Sequence, residues 1–243
     1  MKQKILFISD VHFCDYRNSA AYEERRKRRL ADLICAGDIA LVVNIGDTVS
    51  RDGVLREELK PYRRELFADY VEWRASLGVP FVECGLGREK AFFEEIYGQP
   101  MDYVYTGLPG VLVVVSDPAG GADGRFTEAQ VRWLEETLDA ADGRTVVVGT
   151  HVPYPASCSR AVGPGIYLDV PEGLQRRLEN FPSRVFWAGG HFHWDLEAPV
   201  VHGSLTAFMG GRFRFESDPP DELPYLRTLD LNTLALETLV DVA

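Results

Sequence analysis

Histidine is scarce in this chain. Only five occur in 243 residues, and four of them (His12, His151, His191 and His193) stand just after apolar runs. Cysteine is equally thin: Cys14, Cys35, Cys84 and Cys158 are scattered, with no close-spaced pair. That spacing gives no disulfide framework and points to a reduced, cytoplasmic setting. Positive charge is in deficit, with 26 Lys and Arg against 37 Asp and Glu and a formal net charge of −11. No global field then attracts a phosphate backbone or an anionic membrane, which argues against nucleic acid as a partner. A small phosphorylated molecule stays open, because its binding is set locally. No apolar run approaches the length of a membrane span. The start, M-K-Q-K-I-L-F-I-S-D, is too short in its apolar part for a signal peptide and is interrupted by Asp10 and His12. It reads as a first buried strand. Repeats and low-complexity segments are absent.

What is present fits an ordinary globular α/β chain, 46% apolar and 26% charged. Its length favours one domain over residues 1–243 rather than two small ones. Short β-branched runs at 4–9, 39–45, 81–84, 111–116, 145–149 and 184–188 read as strands. Helical spacing covers 22–36, 54–77 with a break near Pro61, 89–97, 128–140 and 174–180. Thr127 and Gln130 (T-E-A-Q) predict a capping box at the start of the fourth helix. The tail from 205 to 242 alternates apolar and polar residues, with a turn at Asn232-Thr233. Strands alternating with helices, followed by antiparallel-looking strands, predict a layered α/β sheet with its site along one edge.

The chemistry lies in the residues that follow the strands. Asp10 and His12 (I-S-D-V-H), Asp47 (N-I-G-D), His151 (V-V-V-G-T-H) and the pair His191 and His193 (G-G-H-F-H) are carboxylates and imidazoles at strand ends. Such donors suit a divalent cation of the Mn²⁺, Fe²⁺ or Zn²⁺ type. Each motif alone is weak. A D-x-H pair can be a loop cap beside a surface histidine, and Gly-Asp is a common turn. The conjunction, in this order and at these separations, is far more specific.

Together these motifs resemble the calcineurin-like metallophosphoesterase superfamily over nearly the whole chain. The stretch V-V-V-S-D-P followed by G-R-F-T-E-A-Q-V-R-W-L-E-E-T-L is similar to the segment before the fourth motif in its cyclic-nucleotide-phosphodiesterase-like and purple-acid-phosphatase-like members. The resemblance implies a four-layer αββα sandwich and one or two divalent metal ions per chain. It implies that Asp10, His12 and His193 hold one ion, His151 and His191 the other, and that Asp47 bridges both. It further implies hydrolysis of a phosphomonoester or phosphodiester by a metal-activated hydroxide.

The third motif departs from the pattern. Where the superfamily has Gly-Asn-His followed by an acidic residue, this chain reads Gly85-Leu86-Gly87-Arg88. Leucine cannot ligate a metal, and glycine has no proton to give a leaving group. The ion expected on Asp47, His151 and His191 keeps three protein ligands, enough for a catalytic zinc-like site. Arg88 is expected to help catalysis by orienting phosphate with its planar fork, and Cys14, Glu83, Cys84 and Glu89 are within reach in sequence as substitute ligands. Two alternatives follow: a member that binds one metal or a phosphorylated ligand without turnover, or an interaction scaffold. A nuclease is opposed by the acidic balance. The run Glu23-Glu24-Arg25-Arg26-Lys27-Arg28-Arg29 reads as a solvated helix face, Arg212 and Arg214 as exposed strand residues, and His202 as structural. Tyr154, Phe192 and Trp194 flank the expected site. The natural substrate and the oligomeric state leave no signature.

Overall fold

The computed structural model describes residues 2–13, 17–49, 60–85, 90–118, 124–155, 157, 168–192, 197–213, 215–219 and 223–240. In chain order the elements are β1 (Lys4–Ile8), α1 (Ala20–Ala36), β2 (Ile39–Asn44), α2 (Lys60–Ser76), β3 (Phe81–Glu83), α3 (Lys90–Tyr97), β4 (Tyr103–Leu108) and β5 (Val111–Val115). There follow α4 (Glu128–Asp139), β6 (Thr145–Gly149), α5 (Glu172–Glu179), β7 (Val185–Gly189), β8 (Val200–His202), β9 (Leu205–Met209), β10 (Gly211–Arg212), β11 (Tyr225–Asp230) and β12 (Leu236–Val240).

The strands form two mixed sheets. In the first, β1, β2 and β3 run parallel, and β11 lies antiparallel to β1. Strands β10 and β12 each pair antiparallel with β11. In the second, β5, β6, β7 and β9 run parallel, flanked by antiparallel β4 and β8. The parallel strands are runs such as V-L-V-V-V and T-V-V-V-G, buried along their whole length, as expected of a sheet covered on both faces.

Alternate side chains of these strands go to different apolar clusters. Ile5, Phe7, Leu41 and Val43 of the first sheet meet Val113, Val115, Val147 and Phe186 of the second in a cluster that bridges the two. Leu112, Val114, Val148 and Trp187 pack with Leu134 and Leu138 of α4 and Leu174 and Leu178 of α5. Leu6, Ile8 and Val42 pack with Leu30 and Ile34 of α1 and Tyr70 of α2. Each fully buried side chain of this size contributes about 1.5–3 kcal/mol. Rigid sheets fixed on both sides then hold the loops at their carboxyl ends in place.

Several local expectations differ from the structure. Strands β4 and β8 carry no clear alternation and are missed by the sequence pattern. Strand β9 joins the tail to β7 in parallel, not antiparallel. The break expected near Pro61 does not occur: α2 runs unbroken over Lys60–Ser76, and residues 54–59 lie outside the described residues. The charge run on α1 is not wholly solvated: Glu23 and Arg26 are buried. Arg212 is also buried rather than exposed, and Arg214 lies outside the described residues. His202 sits exposed on β8, and Tyr154 is buried against Trp187. Cys35 and Cys84 are free thiols, while Cys14 and Cys158 lie outside the described residues. Among the described residues no helix is long and apolar enough to cross a membrane.

Candidate metal centre

Four loops leave parallel strands and converge. Asp10 and His12 follow β1, Asp47 follows β2, His151 follows β6 and His191 follows β7. Hydrogen bonding continues past the strand ends. Ile45 N–H donates to the Ile8 carbonyl at 2.7 Å, Asp10 N–H to Gly46 at 3.0 Å and His12 N–H to Asp47 at 2.9 Å. The β1 and β2 loops therefore rise together. On the other sheet, Gly190 N–H donates to the His151 carbonyl at 2.9 Å. Two contacts cross between the sheets: His191 N–H lies 3.1 Å from both carboxylate oxygens of Asp10, and His151 Nδ1 lies 2.9 Å from the Ile45 carbonyl.

The convergence demands unusual backbone. Asp10, His12, Asp47 and His191 have φ of 53°, 46°, 47° and 72°. They are four of the six non-glycine residues with positive φ among those described. Such conformations cost about 1–3 kcal/mol each and persist where the surroundings over-determine them, typically at functional sites.

The side chains fall into two sets. Asp10, His12 and Asp47 can each offer a ligand atom within 4.8 Å of the others, and so can Asp47, His151 and His191. Asp47 belongs to both. Its Oδ2 stands 3.7 Å from His12 Nε2 and 3.4 Å from His151 Nε2, and His151 Nε2 is 3.3 Å from His191 Nδ1. With His151 Nδ1 turned onto a backbone carbonyl, the neutral ring carries its proton there and presents the Nε2 lone pair to the cluster. Outer contacts of this kind orient metal-ligating histidines. Carboxylate shared between imidazoles is a donor set that fits divalent Mn, Fe or Zn.

The electrostatics of the metal-free cluster agree. Burial disfavours charge on Asp47, but His151, with His12 and His191, outweighs it and holds the carboxyl well below the ordinary range. Burial likewise opposes charge on His151, yet Asp47 chiefly, with Asp10 and Asp117, pushes its pKa up to about 10. Below that pKa the His151 ring carries a second proton. A metal must displace it, so affinity should rise with pH through about 10 and level off only above it, where His151 is neutral. At pH 8, Mn²⁺ binding should release about one proton per His151 site. Calorimetry in buffers of different ionisation enthalpy reads this directly, and heats independent of buffer would contradict it.

Two glycines make the approach close enough. At Gly46, with φ of +108°, an added Cβ would lie 2.7 Å from His151 Nδ1. At Gly190 it would meet Ser9 Oγ at 2.0 Å and Asp10 Oδ2 at 2.9 Å. Gly190→Ala should therefore weaken Mn²⁺ binding and lower the melting temperature by several degrees, as expected for roughly 1–3 kcal/mol of overpacking. An alanine variant with unchanged melting temperature and metal affinity would show that this approach is not needed.

Not every substitute ligand comes forward. Glu83 is fully buried at the end of β3, where its carboxylate accepts from Asn44 Nδ2 at 2.7 Å and Tyr70 OH at 3.1 Å and pairs with Arg74 at 2.5 Å. Burial raises its pKa against those partners. Its role here is structural, tying α2 to the β2 end beside Gly46, whose N–H reaches Asn44 Oδ1 at 3.3 Å. Cys84 packs in the cluster between the sheets, and burial pushes its thiol well up. Phe192 stacks edge-on against His191 at 5.2 Å. His193, Leu86, Gly87, Arg88, Glu89, Cys14 and Trp194 lie outside the described residues.

Asp117 is a residue that sequence reasoning missed. It stands two positions past β5, the same offset that Asp10 has from β1. Its Oδ1 accepts the His151 N–H at 2.6 Å. Burial pushes its pKa up to about 7, against the backbone hydrogen bonds from His151 and Gly85. The capping-box glutamine, Gln130, donates Nε2 to the Asp117 carbonyl at 2.7 Å while its Oε1 accepts from Thr127 N–H. The helix cap and the site loop are thus one structure.

The chain thus has a mixed α/β fold of two sheets, with a shared-carboxylate cluster at their carboxyl ends. A crystal structure of a dimetal phosphatase from Danio rerio superposes with a TM-score of 0.65, covering 98% of this chain and 98% of that one at 12% identity. A second crystal structure gives a TM-score of 0.63 at 12% identity, covering 98% of this chain and 99% of the other. At that identity the likeness speaks for the fold alone. No protein-family model matches the chain, and no curated protein matches it in sequence.

Proposed function

We propose that the chain is a metal-dependent phosphoesterase, one domain over residues 1–243 in the four-layer αββα arrangement. The observation that carries this reading is Asp47, a single carboxylate common to two ligand sets. In this reading Asp10, His12, Asp47 and His193 hold one divalent cation, and Asp47, His151 and His191 hold the second. Mn, Fe or Zn suits these donors. When bound, such a pair supplies an activated water and neutralises charge on the phosphoryl oxygens.

The chain's own residues set the rest. The Ile45 carbonyl fixes the His151 ring, Asp117 holds its backbone, and Asp10 takes the His191 N–H. Arg88 is assigned the phosphate oxygens. The substrate is a small phosphorylated molecule. Hydrolysis of 4-nitrophenyl phosphate or bis(4-nitrophenyl) phosphate with added Mn²⁺, abolished by a chelator, is the expected result. Complete inactivity on both would sink the enzyme reading. It would favour the second reading, a binding member without turnover, which rests on Leu86 and Gly87 standing in place of Asn and His.

A further inference from the structure

We propose that Arg26 is a positioning residue of the metal centre, holding the turn that presents Asp10 and His12; this rests on the reading of those two residues as ligands. Arg26 comes from α1, is 1% exposed and sits in a run of five basic residues. A guanidinium is not buried without partners, because its desolvation is costly. Here Nη1 pairs with Glu23 Oε1 at 2.9 Å and Nη2 donates to the Val11 carbonyl. The group also lies over the Phe213 ring at 5.2 Å and the Tyr22 ring at 5.8 Å.

The place of that carbonyl gives the contact its meaning. Val11 separates two residues with left-handed backbone, Asp10 and His12. The N–H groups of those neighbours are held from the β2 side by Gly46 and Asp47. Arg26 grips the same turn through the intervening carbonyl. An apolar side chain at position 26 would fill the space, but it would offer that carbonyl no donor. The grip extends outward: Glu23 Oε1 accepts from Asn18 Nδ2, and Asn18 Oδ1 accepts the Glu216 N–H at 2.8 Å. Phe215, next to Glu216, packs its ring 5.4 Å from that of His12. The relay therefore leaves the D-x-H turn through Arg26 and returns to it beside His12.

The test is Mn²⁺ affinity of the full chain, read by calorimetry and by the free-ion paramagnetic resonance signal. Arg26→Met is expected to weaken the tightest Mn²⁺ site roughly 10–100-fold, the loss usual for partners that orient metal ligands. Ile34→Ala, a cavity about two turns further along the same helix that removes no hydrogen bond to the turn, is expected to lower the melting temperature and leave the affinity unchanged. Arg26→Lys keeps the charge if the methionine variant fails to fold; a lysine lacks the fork that joins Glu23 to Val11, so affinity should still fall. Unchanged affinity in a folded Arg26 variant overturns the proposal, as does an equal loss in Ile34→Ala. Wild-type protein that takes up no Mn²⁺ overturns the metal-centre reading along with it.

Discussion

Asp47→Asn should release both cations together. The amide keeps the shape of the side chain and removes its charge, and that charge is the one common to both ligand sets. Two divalent ions close together repel, and a bridging carboxylate offsets part of that repulsion. The affinity of each site is expected to fall by more than about 100-fold, beyond the roughly 10–100-fold typical of outer partners. Turnover should fall with it. His12→Ala and His151→Ala should behave differently, each emptying chiefly its own site, because His12 and His151 stand in separate sets. Elemental analysis after equilibration with Mn²⁺ distinguishes these patterns. An Asp47→Asn protein that retains either ion at wild-type affinity would dissolve the two-site description.

The second large effect concerns the leaving group. Gly87 stands where the resemblance places a histidine that assists departure of the ester oxygen. General acid help is worth about 10²–10⁴ in rate. A nitrophenolate leaves without it, whereas an alkoxide needs it. The ratio of aryl to alkyl phosphate turnover should therefore exceed that of an enzyme with the histidine by about the same factor. Measuring kcat/KM across esters of graded leaving-group acidity should give a steep, continuous dependence. Equal turnover of alkyl and nitrophenyl esters would mean that another group supplies the proton.

The parts of the fold legible in the sequence are those with strong local signals. The parallel strands are unbroken β-branched runs, and the T-E-A-Q cap forms as its spacing predicts. The convergence of Asp10, His12, Asp47, His151 and His191 is legible because each follows a buried strand whose direction fixes where its loop emerges. What escapes is set by long-range packing. Strand β9 pairs parallel with β7, a choice of partner that alternation cannot encode. Arg26 hides among four other basic residues of α1, and only its contact with Val11 separates it from a solvated neighbour. Asp117 shows the same strand-end offset as Asp10 and lies in the V-V-V-S-D-P stretch, but no histidine or glycine beside it marks it as part of the site.

Glu83 shows how a correct position can carry a different role. Sequence places it next to the substituted third motif, and proximity makes it a plausible ligand. The structure spends its carboxylate on Asn44, Tyr70 and Arg74. A buried carboxylate takes whatever donors the surrounding helix provides, and α2 provides two.

The most direct measurement is the metal content of the wild-type chain after equilibration with Mn²⁺ and removal of free ion. The shared Asp47 predicts two ions per chain, both lost in Asp47→Asn. No bound ion, or a single ion that survives Asp47→Asn, would contradict a two-cation centre.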